Sequence, residues 1–265
     1  MAIPIPHILS HAVASINTET RESFDLFESL IVRLEPAFKR EIRFRTDVRL
    51  EFPQLVASYL LSSLQRVRVT SWGVVSAVNA PNEVLFVLAV RSMLESAANI
   101  AYLRANMLKT YAGEVPRRDM TRLSLRMKFA TRKPGDFKFS SEEASQVSSV
   151  NVLSALKTLD RFASTEIGFA NDKSMTNWYE RLCEFSHPNC MGNSVGSELD
   201  YPGGLETFEI DPGMRPGVLE QFGNYVYGSL YLFCLNYNEC WQMMADAKEI
   251  LPTWTPPELP KIVLD

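Results

Sequence analysis

At 265 residues, 46% of them hydrophobic, the chain can bury a substantial core as one large domain or two small ones. Its net charge of −4 is small in sum, its N-terminus lacks the charged-then-apolar pattern of a secretory signal, and its four cysteines indicate a reducing compartment rather than a disulfide framework. A cytoplasmic location with no membrane contact is therefore expected, although residues 83–103 approach the length of a membrane span, because Arg91 and Glu95 sit in the middle of that stretch.

In chain order, Glu19 to about Arg45 has helical periodicity through Phe24, Phe27, Leu30, Ile31 and Leu34, with Pro36 expected to kink or split it. Pro53 stands near the start of a helix through Leu55–Val69 that can continue towards Asn79. Ala80-Pro81-Asn82 punctuates the chain, and Asn82 is a plausible N-cap for a long apolar helix over 83–108. Pro116 can occupy the first turn of a basic helix reaching about Thr131, where Arg118, Arg122 and Arg126 recur at four-residue spacing opposite Leu123, Leu125 and Met127. That helix lies in an uneven charge distribution: residues 104–138 carry ten Lys/Arg against three acids, net +7, while residues 139–265 are net −11. Such asymmetry fits a polyanion-facing surface, or a basic segment docked on the acidic C-terminal part.

Residues 133–148 read as a polar loop, followed by helices over about 149–164 and 174–187. Three Pro/Gly clusters in 188–212 give a long loop with room for a short extended piece, and the last helix, rich in aromatics, spans about 215–247. The tail over 251–265 is Pro-rich, a coil packed on the body or a short arm. No stretch has convincing period-two alternation, and no internal repeat or low-complexity linker divides the chain. The expected fold is all-α: residues 1–265 as a single large helical bundle with a long loop before the last helix.

Four constellations could carry chemistry. Arg91 and Glu95, i and i+4 on an otherwise apolar helix, point the same way into the bundle, where charge is costly unless paired. They can be a structural ion pair or the polar floor of a site facing His187. Glu184-x-x-His187 has the spacing of di-iron bundles, but that site needs a second such motif and no other histidine follows His11. Cys183, His187 and Cys190, with Cys234 or Cys240, match no common zinc module, and neither a phosphate-cradling glycine loop nor a dinucleotide fingerprint occurs. No cofactor or metal is expected; His7 and His11 share a helical face but read as incidental.

The fourth constellation is Tyr179-Glu-Arg181-Leu-Cys183-Glu184-Phe-Ser-His187-Pro188-Asn189 at the end of a helix. Arginine and histidine are the minimum kit for cleaving a phosphodiester without a metal. Equally, Pro188 must stop the helix, and a histidine in a last turn meets exposed carbonyls and the negative end of the helix dipole.

An arginine followed by four to six residues and then a histidine, here Arg181 and His187 with five between them, in an all-helical chain resembles the signature of HEPN domains, helical nucleotide-binding and ribonuclease modules of prokaryotic defence and toxin-antitoxin systems. The Tyr179-x-x-Leu182-Cys183-Glu184-x-x-His187-Pro188-Asn189 cassette, with the upstream Arg91-x-x-x-Glu95, also looks like a pattern of bacterial helical proteins. The resemblance implies a metal-independent endoribonuclease with His187 as general acid or base and Arg181 holding the phosphate. It further implies a homodimer pairing two such motifs, an RNA track along Arg118, Arg122 and Arg126, and a protein partner or antitoxin. The sequence departs from the pattern at Leu182, where a polar residue is preferred, and at Glu180 and Glu184, which put negative charge beside the phosphate. The alternative from another class is a non-enzymatic interaction or ligand-sensing protein with a polar pocket formed by Arg91, Glu95, Tyr179, Glu184, His187 and Asn189. On a straight helix Arg181 and His187 point roughly 120° apart, so convergence requires a loosened helix end or a second subunit.

Overall fold

In the computed structural model of the chain, residues 5–38, 52–129, 150–169, 171–187, 197–200, 203, 205–208, 213–247 and 261–264 are described. The first helix, α1 (Thr18–Leu34), starts where Asn17 accepts a hydrogen bond from the Thr20 amide at 2.8 Å, and it buries Phe24, Phe27, Ile31 and Leu34 at i, i+3 and i+4 spacing. It ends at Leu34 rather than near Arg45. Pro36 has no N–H to give the Val32 carbonyl, and Glu35–Ala37 tighten into a 3-10 turn instead. The remainder of the expected helix, 39–45, lies outside the described residues.

Two long helices follow, α2 (Phe52–Asn79) and α3 (Glu83–Tyr111), with Asn82 capping α3 by accepting from the Leu85 amide at 2.9 Å. Basic α4 covers Arg117–Phe129, and α5 covers Val152–Phe162 behind an Asn151 cap. From Ala163 to Ile167 the chain makes one π-helical turn, closed by Gly168 at φ 85°, a left-handed conformation that glycine adopts without a Cβ penalty. Then come α6 (Ser174–Ser186) and, after a short antiparallel hairpin, α7 (Pro216–Asp246) with Pro216 in its first turn. The hairpin joins β1 (Ser197–Asp200) to β2 (Leu205–Phe208), with Ser197 opposite Phe208 and Asp200 opposite Leu205. It falls inside the segment expected to be a loop with a short extended piece, and the fold is all-α around it.

Helix α3 is the axis of the bundle, packed by α2, α4, α5, α6 and α7. Among the described residues it is the one helix long and apolar enough to cross a membrane, and 61% of its apolar window is buried against these neighbours. It runs parallel to α7. At one end Arg215 bonds Glu83, two turns before the other end Arg104 bonds Glu239, and at that end Tyr111 donates to the Met243 carbonyl at 2.5 Å. The antiparallel α6 packs Trp178 on Tyr225 and Phe185 on Phe222 of α7. One contiguous core results, from Val13 to Ile262. Of the tail, Lys261–Leu264 are described, and Ile262 trades two hydrogen bonds with the Asn238 side chain at 2.8 and 3.0 Å, so this piece packs on α7.

Candidate functional site

Tyr179 and Cys183 are one helical turn apart on the face of α6 that meets α3, and Arg91 and Glu95 are one turn apart on the answering face of α3. The two sequence motifs therefore converge. Arg91 donates through Nε to Glu95 at 3.2 Å and through Nη2 to the Tyr179 hydroxyl at 3.0 Å, and its guanidinium lies 5.1 Å from the Tyr179 ring centre. The pair is not sealed: the Arg91 and Glu95 side chains keep 21% and 27% of their exposure. The cluster is thus a partly wet polar patch in the wall of an apolar bundle, satisfied internally but reachable from solvent.

Its electrostatics follow from half-burial. Burial alone would lower the Arg91 pKa, but the Tyr179 hydroxyl, the Cys183 side chain and Glu95 more than offset this, so Arg91 stays charged. Burial raises the Tyr179 hydroxyl. Burial also pushes the Cys183 thiol up, with Glu95 and Glu180 adding to it and Arg91 and a hydrogen bond with Tyr179 opposing it. A thiol held protonated is a weak nucleophile, so the cluster suits recognition better than covalent catalysis.

Arg181 and His187 are not brought together. Helix α6 keeps α geometry to its end: the His187 amide still donates to the Cys183 carbonyl at 3.1 Å, and only His187 itself turns extended, at φ −97° and ψ 152°. The helix does not loosen before His187, so nothing rotates the two side chains into one direction. Arg181 faces α7 instead. With its oxygen turned towards the guanidinium, the Gln221 carboxamide accepts from Arg181 Nε at 2.5 Å and Nη2 at 3.2 Å. Both Arg181 and His187 are exposed, as is Glu184, and among the described residues no hydrogen bond or ion pair engages the His187 imidazole. Asn189 and Cys190 lie outside the described residues.

On α4 the buried side is Met120, Leu123 and Ser124, with Met127 packed against the core and Leu125 only half-buried. Leu125 is two positions from Leu123 and so points away from it. Arg118 and Arg122 project into solvent, 80% and 77% exposed, each within 4 Å of Asp119 (3.9 and 3.6 Å), while Arg126 is half-buried. Ion pairs this exposed contribute little, so the stripe keeps its charge.

Two further charged assemblies gave no signal in the sequence. Arg104, with its side chain 10% exposed, holds Glu166 in a two-pronged bond at 2.9 and 2.6 Å, bonds Glu239 through Nε, and stacks on Phe162 at 4.7 Å. Asp160, buried in α5, accepts from the Met175 amide at 2.6 Å and from the Thr176 hydroxyl at 2.5 Å, so it caps α6 from a neighbouring helix. Among the described residues no group of three or more His, Cys, Asp or Glu side chains is placed to hold a metal ion. Comparison with known proteins gives no match: no family model fits the chain, and neither a curated protein nor a solved structure is significantly similar to it.

Proposed function

We propose that the protein is a helical, non-enzymatic recognition protein that reads a polar ligand or partner side chain at the Arg91, Glu95, Tyr179 and Cys183 cluster. The observation that carries this reading is the Arg91–Tyr179 hydrogen bond across 88 residues, which joins two motifs into one half-exposed patch. Half-exposure spares the Arg91–Glu95 pair most of its desolvation cost and leaves its polar atoms within reach of a solute. Here a donor fork, a carboxylate and a hydroxyl meet in one partly exposed patch, the small set of convergent polar groups typical of binding sites. The thermal-shift response to a panel of amino acids, dicarboxylates and nucleoside monophosphates tests it. At least one compound should raise the Tm of the wild type and leave Arg91→Gln and Tyr179→Phe unmoved; no response, or equal response in both variants, defeats the reading.

A second reading, the metal-independent endoribonuclease implied by the HEPN-like motif, is favoured by one specific observation. The His187 imidazole is exposed and unengaged among the described residues, and Arg181 is held by a neutral amide that leaves its charge available for phosphate. Because the two diverge on α6, this chemistry needs a homodimer in which the arginine of one copy meets the histidine of the other. Cleavage of end-labelled single-stranded RNA in EDTA decides it. Products with 2′,3′-cyclic phosphate ends, lost in His187→Ala, establish the enzyme; an intact substrate leaves the recognition reading.

A further inference from the structure

Between the C-terminal half of α3 and α5 lies an open groove of about 470 Å³, lined by Ala101, Ala105, Leu108 and Phe162 and flanked by Lys109 and Arg161. Its origin is in the sequence of α3. Alanines at 101, 105 and 112 fall on one side of the helix and leave low relief where larger side chains would fill the space against α5. The volume lies within the range of small-molecule sites and is far too small to seat a protein domain.

The charges around the groove are set by what is already paired. Arg104 reaches its wall, but Glu166 and Glu239 hold its guanidinium and Phe162 covers a face, so it acts as a fixed wall rather than a ligand hook. Glu166 reaches Arg104 from the π-helical turn Ala163–Ile167, a geometry rare in regular helices and frequent beside functional sites. Lys109 and Arg161 differ. Both are exposed, and among the described residues no hydrogen bond or ion pair engages either side chain. Of the acidic residues lining the groove, Glu166 is committed to Arg104 and Glu114 remains. Thr158 and Thr165 also line it, but both hydroxyls already donate to backbone carbonyls one turn back, at 3.1 and 2.7 Å. The polar functions open to a ligand are therefore chiefly cationic, and the rest of the wall is apolar.

We propose that this groove binds a small amphipathic organic anion, its apolar body along Ala101, Ala105, Leu108 and Phe162 and its acidic head at Lys109 and Arg161. The site is separate from the Arg91 cluster, and the inference does not depend on the function proposed there.

Calorimetric titration of the intact chain with decanoate, and with 1-decanol as its uncharged match, tests the proposal. Decanoate should bind with one-to-one stoichiometry and 1-decanol at least about tenfold more weakly. The double substitution Lys109→Gln and Arg161→Gln, both at exposed positions, should weaken decanoate by about tenfold or more without changing Tm. Ala105→Phe, which fills the groove from a half-buried position, should abolish binding with the helical circular dichroism retained. Absence of saturable decanoate binding overturns the proposal, as does equal binding of the alcohol or full affinity in the double variant.

Discussion

Gly228 shows how much a single missing side chain can decide. A Cβ there would sit 2.8 and 2.9 Å from two atoms of the Trp178 indole, closer than real contacts allow. Trp178 has little room to retreat, because it stacks on Tyr225 at 4.3 Å and meets the edge of Phe169 at 6.3 Å. Alanine is the better helix former by about 1 kcal/mol, yet overpacking of this kind typically costs about 1–3 kcal/mol. Gly228→Ala should therefore lower the midpoint of guanidinium unfolding and shift the Trp178 emission; an unchanged or raised midpoint would show that the indole moves aside. At Cys183 the argument is electrostatic. Burial raises its thiol, so less thiolate exists near neutral pH than in an unhindered cysteine. In a Cys190→Ser background, alkylation of Cys183 by iodoacetamide, followed by peptide mass spectrometry, should be slower at pH 7 than that of a model thiol and should accelerate only as the pH climbs past the ordinary thiol range. Alkylation as fast as the model thiol would contradict the burial that protects it. Cys234 and Cys240, buried in α7, stay silent in the native protein.

At the scale of elements, α6 is held by a neighbour rather than by itself. Its own N-cap residue, Lys173, makes no capping bond, and the carboxylate that meets its first amides is Asp160 of α5, fifteen residues earlier. Asp160→Ala leaves those amides buried without acceptors, a loss of about 1–3 kcal/mol, whereas Asp160→Asn keeps one acceptor and should recover part of it. Hydrogen exchange at the Met175 and Thr176 amides reads the effect directly; protection equal to wild type in the alanine variant would mean water caps the helix as well. The contrast with α1, α3 and α5 explains what the sequence could tell. Helix α3 is announced by Asn82 and all three by apolar positions at helical spacing, while the structure adds Asn17 and Asn151 as caps a few residues from the amides they meet, all of it local information. The α3 face of the candidate site was legible in the same way, since Arg91 and Glu95 are i and i+4, but on α6 the reading put Glu184 beside Tyr179, whereas Cys183, one turn on, is the residue beside it and Glu184 is exposed. What was not legible is which helix answers which. The Arg91–Tyr179 contact spans 88 residues, and the Arg104 bonds to Glu166 and Glu239 span 62 and 135, distances at which no spacing rule operates. The direction of Arg181 was half legible, because helical geometry separates it from His187, but its Gln221 partner on α7 belongs to tertiary packing.

The molecule as a whole stores its protons in tyrosines. Burial pushes Tyr59 up to about 12, with Ser63 and Arg66 pulling the other way, and burial together with Asp246 and Cys240 pushes Tyr111 to about 12; burial drives Tyr237 higher still. An unfolded tyrosine ionises near 10. Below that pH both states carry the proton and the stability is undiminished. Above it the unfolded chain releases protons that the folded chain retains, so stability falls as pH rises from about 10 through about 12. Each pH unit of separation is worth about 1.4 kcal/mol for an enclosed phenol such as Tyr59 and less for the half-buried Tyr111, where solvent screens the effect, so together they remove a few kcal/mol from a fold whose total is typically about 5–15 kcal/mol. The enclosed phenols Tyr59 and Tyr237 should therefore ionise with unfolding of the bundle rather than by titrating within it. Absorbance at 295 nm and circular dichroism at 222 nm, followed together through an alkaline titration, should show part of the nine tyrosines ionising near pH 10 with the helix signal intact. The remainder should appear in a steeper step that coincides with loss of helix. A single smooth curve near pH 10, with the dichroism unchanged to its end, would mean that the buried hydroxyls reach water without unfolding.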